Sequence, residues 1–524
     1  MRSKDARKIR ANANDGADEG MVLAAVAVAS ATVCLLALSA PLRHWFVLPV
    51  ALCGILVGAD GARWLRGSLD VFDPGGLIGL LGIHFFFLAP LLLVAWDSGV
   101  QGWNVALSDW HPWLGGMACL NAIGLLVYHV ILRLGASHGE QKRRRSVWKL
   151  DPVRFRAALA IAVALSVALQ AEVYAQFGGI AGYVDAVTDL QTRAATFQGL
   201  GPVFMLSESA PLLGFMAFVL SARRHRLTRT WPALFFALSI FALLEVFFGG
   251  LRGSRSTIVW ALFWAVGLVH LCVRPIPRRI VVSGLILVLL PFMYFYGFFK
   301  AAGIEGLSAA VSGAAARSEL EQSSGRTVGT LMFADLSRSD VQALVLQRLW
   351  EPSADREYAW GVTYLASASL VIPKVLVPEQ LEGKVARATD LVFGRGAYAS
   401  GVLASSKVYG LAGEAMLNFG PLAVPLSFIP LALLVRGIRR RSAVWRADRD
   451  ARVFMLPMLV SLCLVTLVSD SDNVIFFTIK TGMLPFTVIV LGSIRREKVR
   501  ITRPAILGPS WARTWPRRPE LTRA

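Results

Sequence analysis

Apolar and polar residues alternate along this chain in long blocks, not in the short periods of a soluble fold. Twelve apolar blocks lie at roughly 21–40, 45–60, 76–96, 113–133, 156–177, 203–221, 231–249, 257–273, 280–299, 413–435, 453–470 and 474–492, with polar connections between them. Most run to about 20 residues, the length a helix needs to cross a hydrocarbon core about 30 Å thick. Backbone polar groups find no water in lipid, so each block is predicted to satisfy them internally as a helix. The pattern predicts an all-α integral membrane protein with about twelve transmembrane helices. The first block is read as a span and not as a cleavable signal, because it is long for a signal's apolar core.

Charge orders the connections. The basic segments are the N-terminal tail, "ARWLRG", "QKRRRSVWK", "RRHRLTR", "RPIPRR", "RGIRRRSAVWRADRDAR" and the C-terminal tail, and they occupy every second connection and both ends. Lysine and arginine favour the cytoplasmic side, so both termini are expected inside. The intervening connections face outward. One of them, 300–412, is far longer than the 12–15 residues beyond which a loop usually carries function. Within it, "SRSDVQALVLQRLW" predicts a short amphipathic helix capped by Ser339, with Val341, Leu344, Val345 and Leu349 on one face. "YLASASLVIPKVLVP" is interrupted by Pro373 and Pro378 and is read as re-entrant or packed on the bundle.

The predicted organisation is a cytoplasmic tail (1–20), a nine-span bundle (21–299), a large extracytoplasmic loop with short helices (300–412), a three-span part (413–492) and a basic cytoplasmic tail (493–524). Composition agrees: 17% of residues are charged, where a soluble domain carries about 25%, and mean hydropathy is +0.56. The net charge of +20 suggests nucleic acid, but its confinement to alternate connections reads as membrane orientation and attraction to anionic lipid. The five cysteines lie in apolar blocks, with neither a disulfide framework nor metal spacing. No nucleotide-binding or zinc-protease pattern occurs, and neither cofactor nor metal is expected.

Candidate chemistry gathers at the outward level. Glu172, Arg193, Glu208, Glu245, Arg252, Arg255, Asp470 and Asp472 lie in or beside the spans, with Lys480 about two turns inside. Ionisable groups in a membrane are costly and mark function by default. The basic connections show no comparable acids within their spans. In the turn "GGLRGSRS", Arg252 and Arg255 offer planar forks for a phosphate or diphosphate. Gly249, Gly250 and Gly253 remove side-chain bulk, and the helix start near Ser254 and Ser256 adds free N–H groups. Glu245 is placed to act as a general base. The plainer alternatives are arginines that snorkel to the headgroups and a structural ion pair between Glu245 and one of them. His84 and His129 lack partners at metal spacing and read as satisfied polar contacts.

Four stretches resemble the O-antigen polymerase, or oligosaccharide repeat unit polymerase, family. They are "GGIAGYVDAVTDLQTRAATFQGLGP", the "GSRS" turn, "YAWGVTYLASASLVIPKVLVPEQLEGK" and "GEAMLNFGPLAV". They occur in the family's order, and with the topology the likeness covers about residues 70–492. The turn reads GSRS where GSRG is common, and Lys374 stands where arginine is frequent.

The resemblance implies a GT-C-like, metal-independent membrane glycosyltransferase of the inner (cytoplasmic) membrane. A polyprenyl-diphosphate-linked oligosaccharide is transferred onto a lipid-linked repeat unit at the extracytoplasmic face, and polyprenyl diphosphate leaves. It further implies membrane lipid, a chain-length regulator and a flippase as partners, and no nucleic acid. Arg193, Arg252 and Arg255 become candidates for the diphosphate, with Lys374 and Asn418 as further substrate contacts. Glu245 and Glu414 become the candidate bases, unranked. Three other readings stand beside this one. An O-antigen ligase is expected to carry a histidine in its large external loop, and 300–412 has none. A flippase or transporter would favour repeated halves and broken helices, neither visible in the sequence. The third is an envelope assembly protein without catalysis.

Overall fold

The computed structural model describes residues 2–97, 109–134, 145–188, 197, 200–350, 357–372, 381–400 and 407–498, with the backbone alone at 2–18, 145 and 334. Among them, eleven helices are long and apolar enough to cross a membrane. The elements in chain order are α1 (Arg2–Leu38, apolar from Glu19), α2 (Val47–Leu65), α3 (Pro74–Ala95), α4 (His111–Leu134), β1 (Arg145–Leu150), α5 (Pro152–Gln176), α6 (Ile180–Thr188), α7 (Gly201–Ser207), α8 (Ala210–Ala222), α9 (Trp231–Phe248) and α10 (Arg255–Val273). There follow α11 (Arg278–Ser312), α12 (Ala314–Ser324), α13 (Ser339–Trp350), α14 (Val362–Ser369), α15 (Lys384–Phe393), α16 (Gly410–Phe419), α17 (Ala423–Asp448), α18 (Ala451–Val468), α19 (Ser471–Leu491) and β2 (Ser493–Lys498).

Contacts sort the connections into two sets, one at each end of the bundle. At the basic end β1 pairs antiparallel with β2, Arg145 opposite Lys498 and Leu150 opposite Ser493. Arg439 and Arg446 of α17 reach Asp73 and Asp70 at 2.6 and 3.0 Å, and Lys149 donates to the Asp448 carbonyl at 2.7 Å. At the other end Arg255 meets Asp335, Lys384 meets Asp470 at 2.7 Å and Gln342 donates to the Tyr409 carbonyl at 2.8 Å. These sets match the alternation of basic and non-basic connections. The basic end nevertheless holds acids the sequence reading passed over. Asp60, inside α2, is buried beside Arg63, and burial is tolerable because each acid has an arginine.

Three expectations about the helices change. The block 413–435 is two helices, because the chain turns at Gly420–Leu422, where Gly420 has φ +82°. The helix that runs from end to end is α17, about 39 Å long by helical rise. Its apolar first half packs against α4, and its basic second half carries the contacts to Asp70 and Asp73. The ninth span continues past residue 299 to Ser312, with a kink at Ala302 and Gly303. The helix in the 300–412 segment exists, but Ser339 through Gln347 are buried all round, so α13 lies within the bundle and not on its surface. Ser337, whose hydroxyl accepts from the Ser339 N–H at 3.1 Å, does the capping expected of Ser339. The following segment packs through α14 on α19, and Pro373 and Pro378 lie outside the described residues.

A broken span is also present. The crossing at Gly201–Ala222 is interrupted by a turn at Glu208–Ser209. Pro211 has no N–H for the Ser207 carbonyl one turn earlier, so the ladder fails there. Ser166 of α5 donates to that carbonyl at 2.6 Å and accepts from the Ala210 N–H at 2.9 Å.

Candidate functional site

Two backbone features deliver the charged groups. One is the break at Glu208. The other is the turn after α9, where Gly250–Arg252 form a tight helical turn and Gly253 takes φ +78°, a left-handed conformation suited to glycine. A Cβ on Gly249 would stand 2.6 Å from Thr257 Cγ2 and 3.1 Å from Glu208 Oε2. The space that Gly249 and Gly250 leave is therefore taken by the protein's own Thr257, Glu208 and Ile258 side chains.

Glu208 is the hub. Its Oε1 lies 3.1 Å from Arg252 Nη2, and its Oε2 lies 2.5 Å from Lys480 Nζ on α19. Lys480 also donates to Thr257 Oγ1 at 2.8 Å. The Arg252 guanidinium sits over the Phe204 ring, 4.8 Å from its centroid. The ion pair foreseen for Glu245 is thus made by Glu208. Glu245, one turn before the glycines, is 2% exposed and shares its surroundings with Glu208 and Lys480. Among the described residues no hydrogen bond reaches the Glu245 carboxylate.

These groups face a cavity of about 260 Å³. Glu208, Glu245, Lys480 and Arg338 provide charge, Ser254 and Thr257 mark the N-terminus of α10, and Trp260, Phe476 and Phe477 form an aromatic wall. The cavity is somewhat smaller than the roughly 300–1,000 Å³ of pockets that enclose a drug-sized ligand, so it does not enclose a whole lipid-linked glycan. Arg338 and a helix N-terminus favour an anion, Lys480 is shared with Glu208, and the Glu245 carboxylate, to which no hydrogen bond runs among the described residues, suits proton abstraction.

The other sequence candidates fall elsewhere. Arg255 forks onto Asp335, Nη1 to Oδ2 at 2.6 Å and Nη2 to Oδ1 at 2.7 Å, and so ties the turn to the segment before α13. Glu414 does not line the cavity. Its Oε1 accepts from Thr363 Oγ1 at 3.0 Å and Ser471 Oγ at 2.6 Å, and its Oε2 accepts from the Ser471 N–H at 2.6 Å. Helix α16 lies outside the apolar spans, and there burial, with the Asp470 carboxylate alongside, pushes the Glu414 carboxyl up to about 7. Asn418 donates to Thr363 Oγ1 at 2.7 Å and accepts from the Gly361 N–H at 2.9 Å, which pins α14 to α16. Arg193 and Lys374 lie outside the described residues. His84 and His129 meet the carbonyls of Met332 and Leu56 at 3.0 and 3.2 Å, the polar contacts expected of them.

Sequence reasoning missed Asp335, Arg338, Thr257 and Ser166. Pro211 in "SESAPLL" was the available signal for the break and hence for a partner such as Ser166. Nothing local marks Asp335 or Arg338, which reach the site through tertiary packing alone. Compared with known proteins, the chain matches no family model, no curated protein and no solved structure.

Proposed function

We propose that this chain is a polysaccharide polymerase of GT-C type, which transfers a polyprenyl-diphosphate-linked glycan onto a lipid-linked repeat unit at the extracytoplasmic face. The observation that carries the reading is the polar cavity at the non-basic end, with Glu245, Lys480 and Arg338 on its walls. The order of the four family-like stretches supports it. In this reading the basic end faces the cytoplasm and the membrane is the inner one.

The geometry divides the work. Lys480 and Arg338 face the cavity, and Arg252 joins Lys480 through Glu208. Together they stabilise the charge that develops on the departing diphosphate. Glu245 takes the proton of the acceptor hydroxyl as the new glycosidic bond forms. Arg255 positions the turn through Asp335. Glu414 and Asn418 do not line this cavity and hold the large outward segment against α19, so Glu245 is ranked ahead of Glu414 as the base.

Transport of a lipid-linked oligosaccharide is a second reading, and the break at Glu208–Ser209 favours it, since interrupted helices line substrate sites in transporters. Deletion of the gene followed by electrophoresis of surface glycans tests the choice. A polymerase predicts loss of the long-chain ladder with single repeats retained. Loss of single repeats as well supports transport.

A further inference from the structure

We infer that Ser166 is a positioning residue for the site: its hydroxyl replaces the backbone partners lost at the Glu208–Ser209 break and so holds Glu208 where Arg252 and Lys480 both reach it. As a statement about activity this rests on the transferase reading, but its structural content does not.

The argument begins with the two groups orphaned in the sixth crossing. Pro211 cannot donate to the Ser207 carbonyl, and the turn at Glu208–Ser209 takes the Ala210 N–H out of the helical ladder. Both groups belong to buried residues, Ser207 at 0% and Ala210 at 7% exposure. A hydroxyl donates once and accepts as well, so one serine can close both. Ser166 does so at 2.6 and 2.9 Å, and its side chain is wholly buried. Glu208 is the residue next to Ser207, so its direction is set by this closure. A straightened or shifted turn would rotate the carboxylate away from Lys480 on α19, whose pairing distance is 2.5 Å.

Ser166 does not act alone on its helix. Gln170 and Tyr174 follow at four-residue spacing on the same face. The Tyr174 hydroxyl donates to the Phe247 carbonyl, at the end of α9 just before the glycine turn, and Gln170 lies beside Tyr174. One polar stripe of α5 therefore braces both backbone irregularities that deliver the charged groups. A hydroxyl at 166 is required by this arrangement. Alanine leaves two buried backbone groups without partners, while threonine keeps the hydroxyl.

The test reads Lys480 directly, in the purified full-length chain in detergent micelles. Amine-reactive labelling followed by mass spectrometry compares Lys480 with Lys384, which is also buried and ion-paired, with Asp470. Ser166→Ala and the control Glu208→Ala are each expected to raise Lys480 labelling several-fold and leave Lys384 unchanged, and Ser166→Thr is expected to retain the low wild-type labelling. An equal rise at both lysines in Ser166→Ala, or no rise at Lys480, overturns the proposal. If the wild-type chain polymerises glycan, Ser166→Ala is further expected to lower turnover at least about tenfold, the scale of a lost buried hydrogen bond, with Ser166→Thr restoring it. A chain without polymerase activity refutes the transferase reading and leaves the labelling result to decide the role of Ser166.

Discussion

Lys480 Nζ stands 2.5 Å from Glu208 Oε2, and this contact joins the last crossing helix to the break between α7 and α8. The two residues are far apart in sequence and lie in different walls of one cavity. Removing one partner of a buried pair costs about 3–5 kcal/mol where the other charge is left alone, and less than that here, because Arg252 still faces Glu208 at 3.1 Å. Lys480→Met is therefore expected to lower the thermal midpoint of the purified protein clearly. The double variant Lys480→Met, Glu208→Gln should cost less than the sum of the single ones. Strict additivity in a double-mutant cycle would show that the pair does not couple.

The two arginines of the glycine-rich turn act through different partners, Arg252 through Glu208 and Arg255 through Asp335. Arg255 is held by Asp335 through paired bonds of 2.6 and 2.7 Å. A charge-assisted hydrogen bond is worth about 1.5–3 kcal/mol, and about 1.4 kcal/mol is tenfold in rate. Arg252→Ala and Arg255→Ala are each expected to reduce polymerisation at least about tenfold on that scale, with normal membrane insertion. Asp335→Asn should reproduce the Arg255→Ala defect without adding to it. If the losses from Arg255→Ala and Asp335→Asn multiply in the double variant, the latch is disproved.

Glu414 predicts a pH dependence of stability. Its folded-state carboxyl is raised from 4.5 to about 7, chiefly by burial. Between those values the folded protein holds a proton that the unfolded chain has released, so this group makes stability fall as pH rises through the window. Glu414→Gln should flatten the decline in thermal midpoint between about pH 4.5 and 7 relative to wild type. An unchanged slope in the glutamine variant would mean that Glu414 is ionised throughout.

Much of the architecture was legible because lipid imposes a length on every apolar block and charge sorts the connections. The spans at Pro74–Ala95 and Ser471–Leu491 differ from the sequence reading by a few residues. What the hydropathy missed is where local chemistry overrides length. Gly420 splits 413–435, and Pro211 breaks 201–222, although each stretch reads as continuous. The site was legible in part: Glu208, Glu245 and Lys480 on the cavity wall were among the charged groups read from the sequence, and Arg338 was not. The pairings were not legible, because Glu208 to Lys480 and Arg255 to Asp335 are set by how distant helices pack.

Topology offers an independent check. Single cysteines near Arg224 and Arg440 are expected to be protected from an impermeant reagent in intact cells, and cysteines near Gly325 and Leu422 to be labelled. Leu422 precedes the helix Ala423–Asp448 and is 82% exposed. Labelling near Arg440 would contradict the expectation that the basic connections share one side of the membrane.

The most direct measurement takes the purified chain in liposomes with a polyprenyl-diphosphate-linked repeat unit and resolves the products by gel electrophoresis. Wild type is expected to give a ladder of lengthened glycan with release of polyprenyl diphosphate. Glu245→Gln, which keeps the shape of the side chain but cannot accept the proton, should give none at equal protein level. A ladder from Glu245→Gln equal to that of wild type, or movement of the lipid-linked unit across the bilayer without any ladder, would contradict the account.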